Sequence, residues 1–172
     1  MSEQSSPINP SERSLFSLAQ IQHLMRVEFN RAQRYDYPIG CMLIAVDRLG
    51  HLRDLYGYEA KEEILDAAVT LLKSSTRSSD FLGRLADDRL LAVIPHTGAE
   101  GLDIMARRLL EGARAMDFAN EGRTIQITLS VGASHNDGGA TLFFDAMLQS
   151  AEEAQSSASA AGGDRHVVID PA

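Results

Sequence analysis

The chain has 172 residues, of which 44% are hydrophobic and 23% charged, as in a globular protein of one domain. A formal net charge of −8 argues against a general nucleic-acid binder, because such a protein needs a basic surface to neutralise phosphates. The single cysteine, Cys41, excludes an internal disulfide and a cysteine-based zinc site. No apolar stretch approaches the roughly 18 residues of a membrane span, so no membrane association is expected.

Residues 1–13 are polar and contain two prolines and several serines, which predicts a disordered N-terminal arm. They include no apolar signal-peptide core, so we expect a cytoplasmic protein. The remaining residues, 14–172, are expected to form one domain.

The first half of this domain predicts helix, strand and two further helices. Apolar residues recur at spacings of three and four from Leu15 onward, which indicates a helix ending near Pro38. The short apolar run CMLIAV, Cys41–Val46, indicates a buried central strand. A short helix ending at Gly57 and a longer helix over about residues 59–75 follow.

The second half begins with a predicted hairpin. The segments FLGRLA and RLLAVIP indicate two strands with Asp87 and Asp88 at the tip between them. Next come a helix over residues 99–116, one alternating strand over 124–133, a helix over about 140–160 and a last strand, HVVI. The order contains a β-α-β-β-α-β core, so the predicted fold class is an α/β sandwich with a mostly antiparallel, ferredoxin-like sheet flanked by helices.

Four fragments carry a resemblance to a known family. RSSDFLGRLADDRLLAVIP, from Arg77 to Pro95, is similar to R-x-x-D-x-x-x-R-[FY]-G-G-[DE]-E-F-x-x-x-x-P. YGYEAKEEIL resembles YGHxxGDxxL, ITLSVGAS resembles VTVSIGVA, and SAEEAQSSASAAGGDRHVV resembles RADxALYxAKxxGRNRVV. In this order they resemble the GGDEF domain, the nucleotidyl-cyclase-like fold of bacterial diguanylate cyclases, across nearly all of residues 15–170.

The resemblance implies a reaction that condenses two GTP molecules into cyclic di-GMP, with two carboxylates holding magnesium ions. The matching positions of this chain depart from that pattern. The first metal carboxylate falls on Ala45, and the two glycines fall on Ala86 and Asp87. Asp88 keeps the signature carboxylate, while Arg89 reverses the charge of the next acid.

The side chains that read guanine and bind phosphate in the family also differ here. Their matching positions are Arg53, Glu62, Ser159 and Gly163. With the signature replaced by Ala86-Asp87-Asp88-Arg89-Leu90, these departures predict a degenerate domain that is not an enzyme and has no cofactor or functional magnesium site. The acidic segment is then expected to be a charged, solvated hairpin tip.

The family's active members also bind their product at a separate inhibitory-type site, marked by R-x-x-D five residues ahead of the signature. Arg77 and Asp80 match it at that spacing, and Arg108 matches a second arginine, with Arg107 beside it. An arginine can take the O6/N7 edge of guanine in two hydrogen bonds, or stack on the base. Asp80 could accept from guanine N1–H and N2–H, and both arginines could meet the phosphodiesters.

The resemblance therefore predicts a cyclic di-GMP receptor or effector in bacterial signal transduction. Its partners are expected to be cyclic di-GMP and an unidentified signalling protein, with a ligand-dependent homodimer as an option. One alternative is a protein–protein interaction scaffold without nucleotide binding, in which Arg77 and Asp80 form an ordinary ion pair. Its sign would be an exposed apolar surface on the first helix, from Leu15, Phe16, Leu24 and Met25. A further alternative is GTP binding without turnover.

Overall fold

The computed structural model describes residues 15–136 and 143–170. Within them the helices are α1 (Leu18–Tyr35), α2 (Leu49–Tyr56), α3 (Tyr58–Ser75), α4 (Ala99–Arg114) and α5 (Phe144–Ala160). The strands are β1 (Ile39–Val46), β2 (Phe81–Arg84), β3 (Leu90–Pro95), β4 (Phe118–Asn120), β5 (Arg123–Ile125), β6 (Leu129–His135) and β7 (Arg165–Ile169). The predicted arm over residues 1–13 lies outside the described residues. No helix in the described ranges combines the length and apolar character needed to cross a bilayer.

The main sheet has five strands in the order β2-β3-β1-β6-β7. All neighbouring strands are antiparallel except β6 and β7, which run parallel. Side chains of β1 alternate between two cores: Met42 packs with α3 and α4, whereas Cys41 and Leu43 pack with α1 and α5. The structure is therefore a mostly antiparallel sheet between two helical layers, which confirms the predicted fold class.

The helix α1 begins where the sequence provides a capping box. Ser17 accepts a hydrogen bond from the backbone N–H of Gln20 at 3.3 Å, and the Gln20 side chain accepts from the Ser17 N–H at 3.0 Å. The helix ends before Asp36, which has a left-handed φ of 54°. The predicted inward stripe is confirmed over Ile21, Met25, Phe29 and Ala32, all of which are buried.

The four apolar residues named as a possible exposed surface of the first helix are mostly buried. Met25 is completely buried, and Leu15 and Leu24 are partly buried against the two cores. Of these four residues Phe16 alone is exposed, at 37%, and its backbone N–H donates to the Leu82 carbonyl of the edge strand β2. Most of this stripe is therefore core.

The single strand predicted over residues 124–133 is wrong. The segment is two strands, because β5 turns back on β4 to form a separate two-stranded ribbon and the main sheet resumes only at Leu129. Glu121 and Gly122, both with positive φ, make the tight turn of this ribbon. Ile125 and Ile127 are buried on either side of the break, so the apolar alternation continues across it and hides it.

Candidate functional site

Arg77 and Asp80 lie in the turn between α3 and β2. The backbone N–H of Arg77 donates to Asp80 Oδ2 at 2.8 Å, and the Asp80 N–H donates to the Arg77 carbonyl at 3.0 Å. The two predicted residues are therefore brought together by hydrogen bonds within one turn. Aspartate commonly stabilises turns in this way, and the arrangement does not depend on a ligand.

The Asp80 carboxylate is buried, and only one of its two oxygens accepts a hydrogen bond from the described residues. Its side chain is 3% exposed, and Oδ1 has no hydrogen-bond partner within the described part of the chain. Burial raises the pKa of Asp80, against the opposing effect of the hydrogen bond from the Arg77 backbone. A buried acceptor without a donor costs free energy, so this position is one where a donor would be favourable.

The Arg77 guanidinium reaches across to the end of β3, the neighbouring strand of the hairpin. Its Nη2 donates to the Pro95 carbonyl and to Thr97 Oγ1, both at 3.0 Å. Its Nε stands 3.9 Å from Asp80 Oδ2, and the side chain is 59% exposed. We call residues 77–80 together with 95–97 the hairpin base. Arg77 is therefore both anchored there and open to solvent.

The third predicted residue, Arg108, is exposed on α4. Gly112 of α4 packs against Leu71 of α3, and Met116, one turn further along, shares a surface groove with Ala67, one turn back. The helix α3 leads from β1 to β2, and α4 leads from β3 to β6, a pair of strands that runs in the opposite direction. The two helices therefore run antiparallel, and with Gly112 beside Leu71 the turn of α4 that contains Arg108 is directed toward the C-terminal end of α3. That end lies two residues before Arg77.

The arginines of α4 divide into paired and unpaired. Arg107 pairs with Asp103 at 2.9 Å, and Arg114 pairs with Asp164 at 2.7 Å. Arg108 has no ion pair among the residues that the structure describes. The sequence matches Arg108 to the second arginine of the family, with Arg107 as its neighbour, and of the two only Arg107 has its charge paired with a carboxylate in the described part of the chain.

Asp88 of the hairpin tip (residues 85–89) belongs to a network of four charged side chains, the other three of which lie beside the tip. Asp88, with φ 69°, accepts from Arg84 Nη2 at 2.6 Å and pairs with Lys61 Nζ at 2.8 Å, while Arg84 also reaches Glu62 at 3.4 Å. Burial alone would raise the pKa of Asp88, but the hydrogen bonds from Lys61 and Arg84 outweigh it and lower the pKa. The expected solvated tip is right for Asp87, 55% exposed, and wrong for Asp88, 20% exposed.

Asp47 forms a polar cluster that the sequence did not reveal. Its Oδ1 accepts from Ser130 Oγ at 2.5 Å, and its Oδ2 accepts from Thr128 Oγ1 at 2.6 Å and from the Asp164 N–H at 2.9 Å. These partners lie at least 81 residues away along the chain, so spacing gives no signal. An acid directly after a buried strand was the only hint. The cluster ties β1 to β6 and to the turn before β7.

The family is settled by comparison with known proteins. The family model described as "Diguanylate cyclase, GGDEF domain" matches residues 14–165. The chain belongs to the GGDEF family.

Relatives of this GGDEF domain are longer proteins. Diguanylate cyclase A of Treponema denticola is 23% identical over 114 residues, which are 66% of this chain and 30% of the relative. Diguanylate cyclase DgcM of Escherichia coli is 28% identical over 119 residues, 69% of this chain and 26% of the relative. The GGDEF domain thus spans about a third or less of the length of these curated relatives.

Solved structures share the fold. Diguanylate cyclase SiaD of Pseudomonas aeruginosa, in complex with its activator SiaC, has a TM-score of 0.82 at 21% identity, covering 94% of this chain and 61% of that chain. The GGDEF domain of DgcB from Caulobacter crescentus, in complex with c-di-GMP, has a TM-score of 0.83 at 12% identity, covering 91% and 89%. At these identities the likeness establishes the fold.

The expectation that the chain is not an enzyme is overturned by these relatives. The curated proteins that this GGDEF domain matches are named diguanylate cyclases, so the comparisons do not support the prediction of an inactive domain. Departures from a motif at the hairpin tip are therefore not sufficient to predict that activity is lost.

The arrangement around the tip does not match a magnesium site as it stands. Mg²⁺ prefers several free oxygen ligands in octahedral geometry. The Asp47 carboxylate is taken by hydroxyl and backbone donors, Asp88 is taken by two cations, and Ala45 has no ligand to offer. No group of three His, Cys, Asp or Glu side chains within residues 15–136 and 143–170 is arranged to hold a metal ion.

Proposed function

We propose that this GGDEF domain binds cyclic di-GMP at the hairpin base through Arg77, Asp80 and Arg108, and acts as a receptor that passes ligand occupancy to a protein partner. The observation that carries the proposal is the state of Arg77. Its guanidinium is fixed by two acceptors yet 59% exposed, beside a carboxylate that has one oxygen without a donor.

The chemistry of cyclic di-GMP is complementary to these groups. Its two phosphodiesters are anionic and suit charge-assisted hydrogen bonds from Arg77 and Arg108. The guanine N1–H and N2–H suit Asp80 Oδ1, the carboxylate oxygen that has no donor among the described residues. Because the Asp80 side chain is 3% exposed, that contact requires the turn 77–80 to open during binding, so the arginines supply the first contacts.

Calorimetry on four proteins tests the proposal. We expect the wild type to bind cyclic di-GMP, and Arg77→Ala and Arg108→Ala each to bind about 10- to 100-fold more weakly, the worth of one or two charge-assisted hydrogen bonds. Arg26→Ala is the matched control, because Arg26 is exposed on α1 in the opposite helical layer. No heat with the wild type, or equal losses in the control, would refute the site.

Thermal melting separates cyclic di-GMP from GTP. A ligand at about 100 times its Kd stabilises the native state by about 2.7 kcal/mol, which raises Tm by about 5–10 °C for a domain of this size. We expect this rise with cyclic di-GMP and a much smaller rise with GTP. A larger rise with GTP would favour the alternative in which the domain holds the cyclase substrate.

A receptor must also change its assembly state or its surface on binding the ligand, so that a partner protein can recognise the change. Sedimentation velocity with and without cyclic di-GMP tests for a ligand-dependent homodimer. The neighbour SiaD is named as a complex with a protein activator, and this motivates a protein partner here. A wild type that binds ligand while its assembly and its exposed surfaces stay unchanged would leave a binding module without a receptor function.

The names of the relatives favour a second candidate function, the diguanylate cyclase reaction. Incubation of the protein with GTP and either Mg²⁺ or Mn²⁺, followed by chromatographic detection of cyclic di-GMP, tests it directly. Product formation that Asp88→Ala abolishes would establish this activity. Absence of product under both metals would leave the binding function to stand alone.

A further inference from the structure

The anchoring of Arg77 decides which part of its guanidinium a ligand can reach. A guanidinium has two bidentate edges, one formed by Nε and Nη2 and the other by Nη1 and Nη2. Nη2 belongs to both edges, and here it donates to Pro95 and Thr97 at 3.0 Å. Nε on the first edge faces Asp80 at 3.9 Å. Protein acceptors therefore compete with a ligand for both edges.

Thr97 is held rigidly enough to act as an anchor. Its hydroxyl donates to the Pro95 carbonyl at 3.4 Å while it accepts from Arg77. Its methyl group packs on Gly101 in the first turn of α4, where an added Cβ would come within 2.7 Å of Thr97 Cγ2. The preceding residue, His96, has a φ of 60°, and its N–H donates to the Pro38 carbonyl at 2.7 Å.

Among the described residues Nη1 has no hydrogen-bond partner, since the printed bonds of the guanidinium are made by Nη2, and the Arg77 side chain as a whole is 59% exposed. A planar cation with an open face favours stacking on an aromatic ring, and a single free nitrogen favours a phosphate oxygen. Reading the O6/N7 edge of guanine would need Nη2, which is engaged.

We infer that Thr97, with the Pro95 carbonyl, is a positioning residue that turns Arg77 so that it stacks on a guanine base and meets phosphate through Nη1, instead of reading guanine O6 and N7 as a fork. This inference rests on the proposed cyclic di-GMP site. It assigns Thr97 a role in ligand binding without contact to the ligand.

The test uses the wild type, Thr97→Val and Thr97→Ser with two ligands, cyclic di-GMP and its 7-deazaguanine analogue, which lacks N7. We expect Thr97→Val, which keeps shape and loses the acceptor, to bind cyclic di-GMP about 3- to 10-fold more weakly, the worth of one hydrogen bond. Thr97→Ser should restore binding to within about 2-fold, and the Tm of all three proteins without ligand should agree within about 2 °C.

The analogue gives a readout that a merely structural role would not move. We expect the wild type to bind both ligands within about 3-fold, whereas a bidentate guanine contact is worth about 5- to 150-fold. A loss above about 10-fold with the analogue, or a Thr97→Val variant that binds as tightly as wild type, overturns the inference while the proposed function stands. A wild type that binds neither ligand overturns both.

Discussion

Replacing Asp80 by asparagine should stabilise the free protein and weaken the proposed ligand site. The wild-type carboxylate is 3% exposed, and its Oδ1 has no donor among the described residues. A buried acceptor left without a partner costs about 1–3 kcal/mol. Asparagine keeps the oxygen that accepts from the Arg77 N–H and removes the buried charge, but it places an amide nitrogen without an acceptor. Because removing the buried charge outweighs the cost of the unpaired amide nitrogen, we expect the free energy of unfolding to rise by about 1 kcal/mol.

The pH dependence of this gain has a definite sign. Burial raises the pKa of Asp80, so the ionised carboxylate destabilises the folded state above that pKa and the proton relieves the cost below it. The advantage of Asp80→Asn over wild type is therefore largest near neutral pH and shrinks as the pH falls through the raised pKa. About 1 kcal/mol corresponds to a rise of about 2–4 °C in Tm for a domain of this size.

The assay is thermal melting followed by circular dichroism, at neutral pH and at several acidic values, together with calorimetry using cyclic di-GMP. Asp80→Ala, which removes the acceptor for Arg77, should melt below wild type. Asp54→Asn, at a side chain 71% exposed, is the matched control and should leave Tm unchanged. The reasoning is refuted if Asp80→Asn melts as low as Asp80→Ala at neutral pH, or if its advantage grows on acidification.

Three further substitutions probe the rest of the framework. Asp47→Ala should lower the free energy of unfolding in urea by about 3 kcal/mol, because its three donors lose a common acceptor; a loss below about 1 kcal/mol would contradict the cluster's structural role. Gly132→Ala should cost about 3 kcal/mol or more, since the new Cβ would lie 2.0 Å from a backbone nitrogen of α5. The hydrogen bond from His166 lowers the pKa of Asp103. The ionised Asp103 therefore stabilises the folded state at neutral pH, and this stabilisation is lost as the pH falls through the lowered pKa. Asp103→Asn should therefore flatten the acid limb of the plot of urea midpoint against pH, and an unchanged limb would contradict this.

The fold was predictable because its signals are local. The stripe of α1, the apolar run of β1 and the turn residues of the hairpin each act within a few positions of one another. The ribbon of β4 and β5 was missed, since Phe118–Asn120 has no pattern of its own and becomes a strand only by pairing with Arg123–Ile125. Pairing that depends on a partner segment does not appear in the periodicity of either segment.

The sequence nominates the residues of the candidate site but gives no information on their geometry. Arg77, Asp80 and Arg108 follow from the register of the resemblance, while the anchor provided by Pro95 and Thr97 lies 18 and 20 positions from Arg77. The burial of Asp80 could not be predicted either, because an arginine and an aspartate three residues apart are typical of an exposed ion pair. The sequence leaves both modes of guanine binding open for Arg77, a bidentate contact or stacking, and the contacts with Pro95 and Thr97 are the observation from which we infer stacking.

The two ends of the β2–β3 hairpin differ in how their charges are paired, and this difference favours one end for the proposed anionic ligand. At the hairpin tip, Lys61 and Arg84 face Glu62 and Asp88, so two positive and two negative charges cancel at contact distance. At the hairpin base, the carboxylate nearest Arg77 lies 3.9 Å from Nε and is disfavoured in its ionised form by burial. In a chain with a net charge of −8, a phosphodiester gains little at a self-neutralised tip and most where a guanidinium is exposed and weakly paired. The base is therefore where we expect cyclic di-GMP to bind, and added salt should weaken that binding because its first contacts are exposed charges.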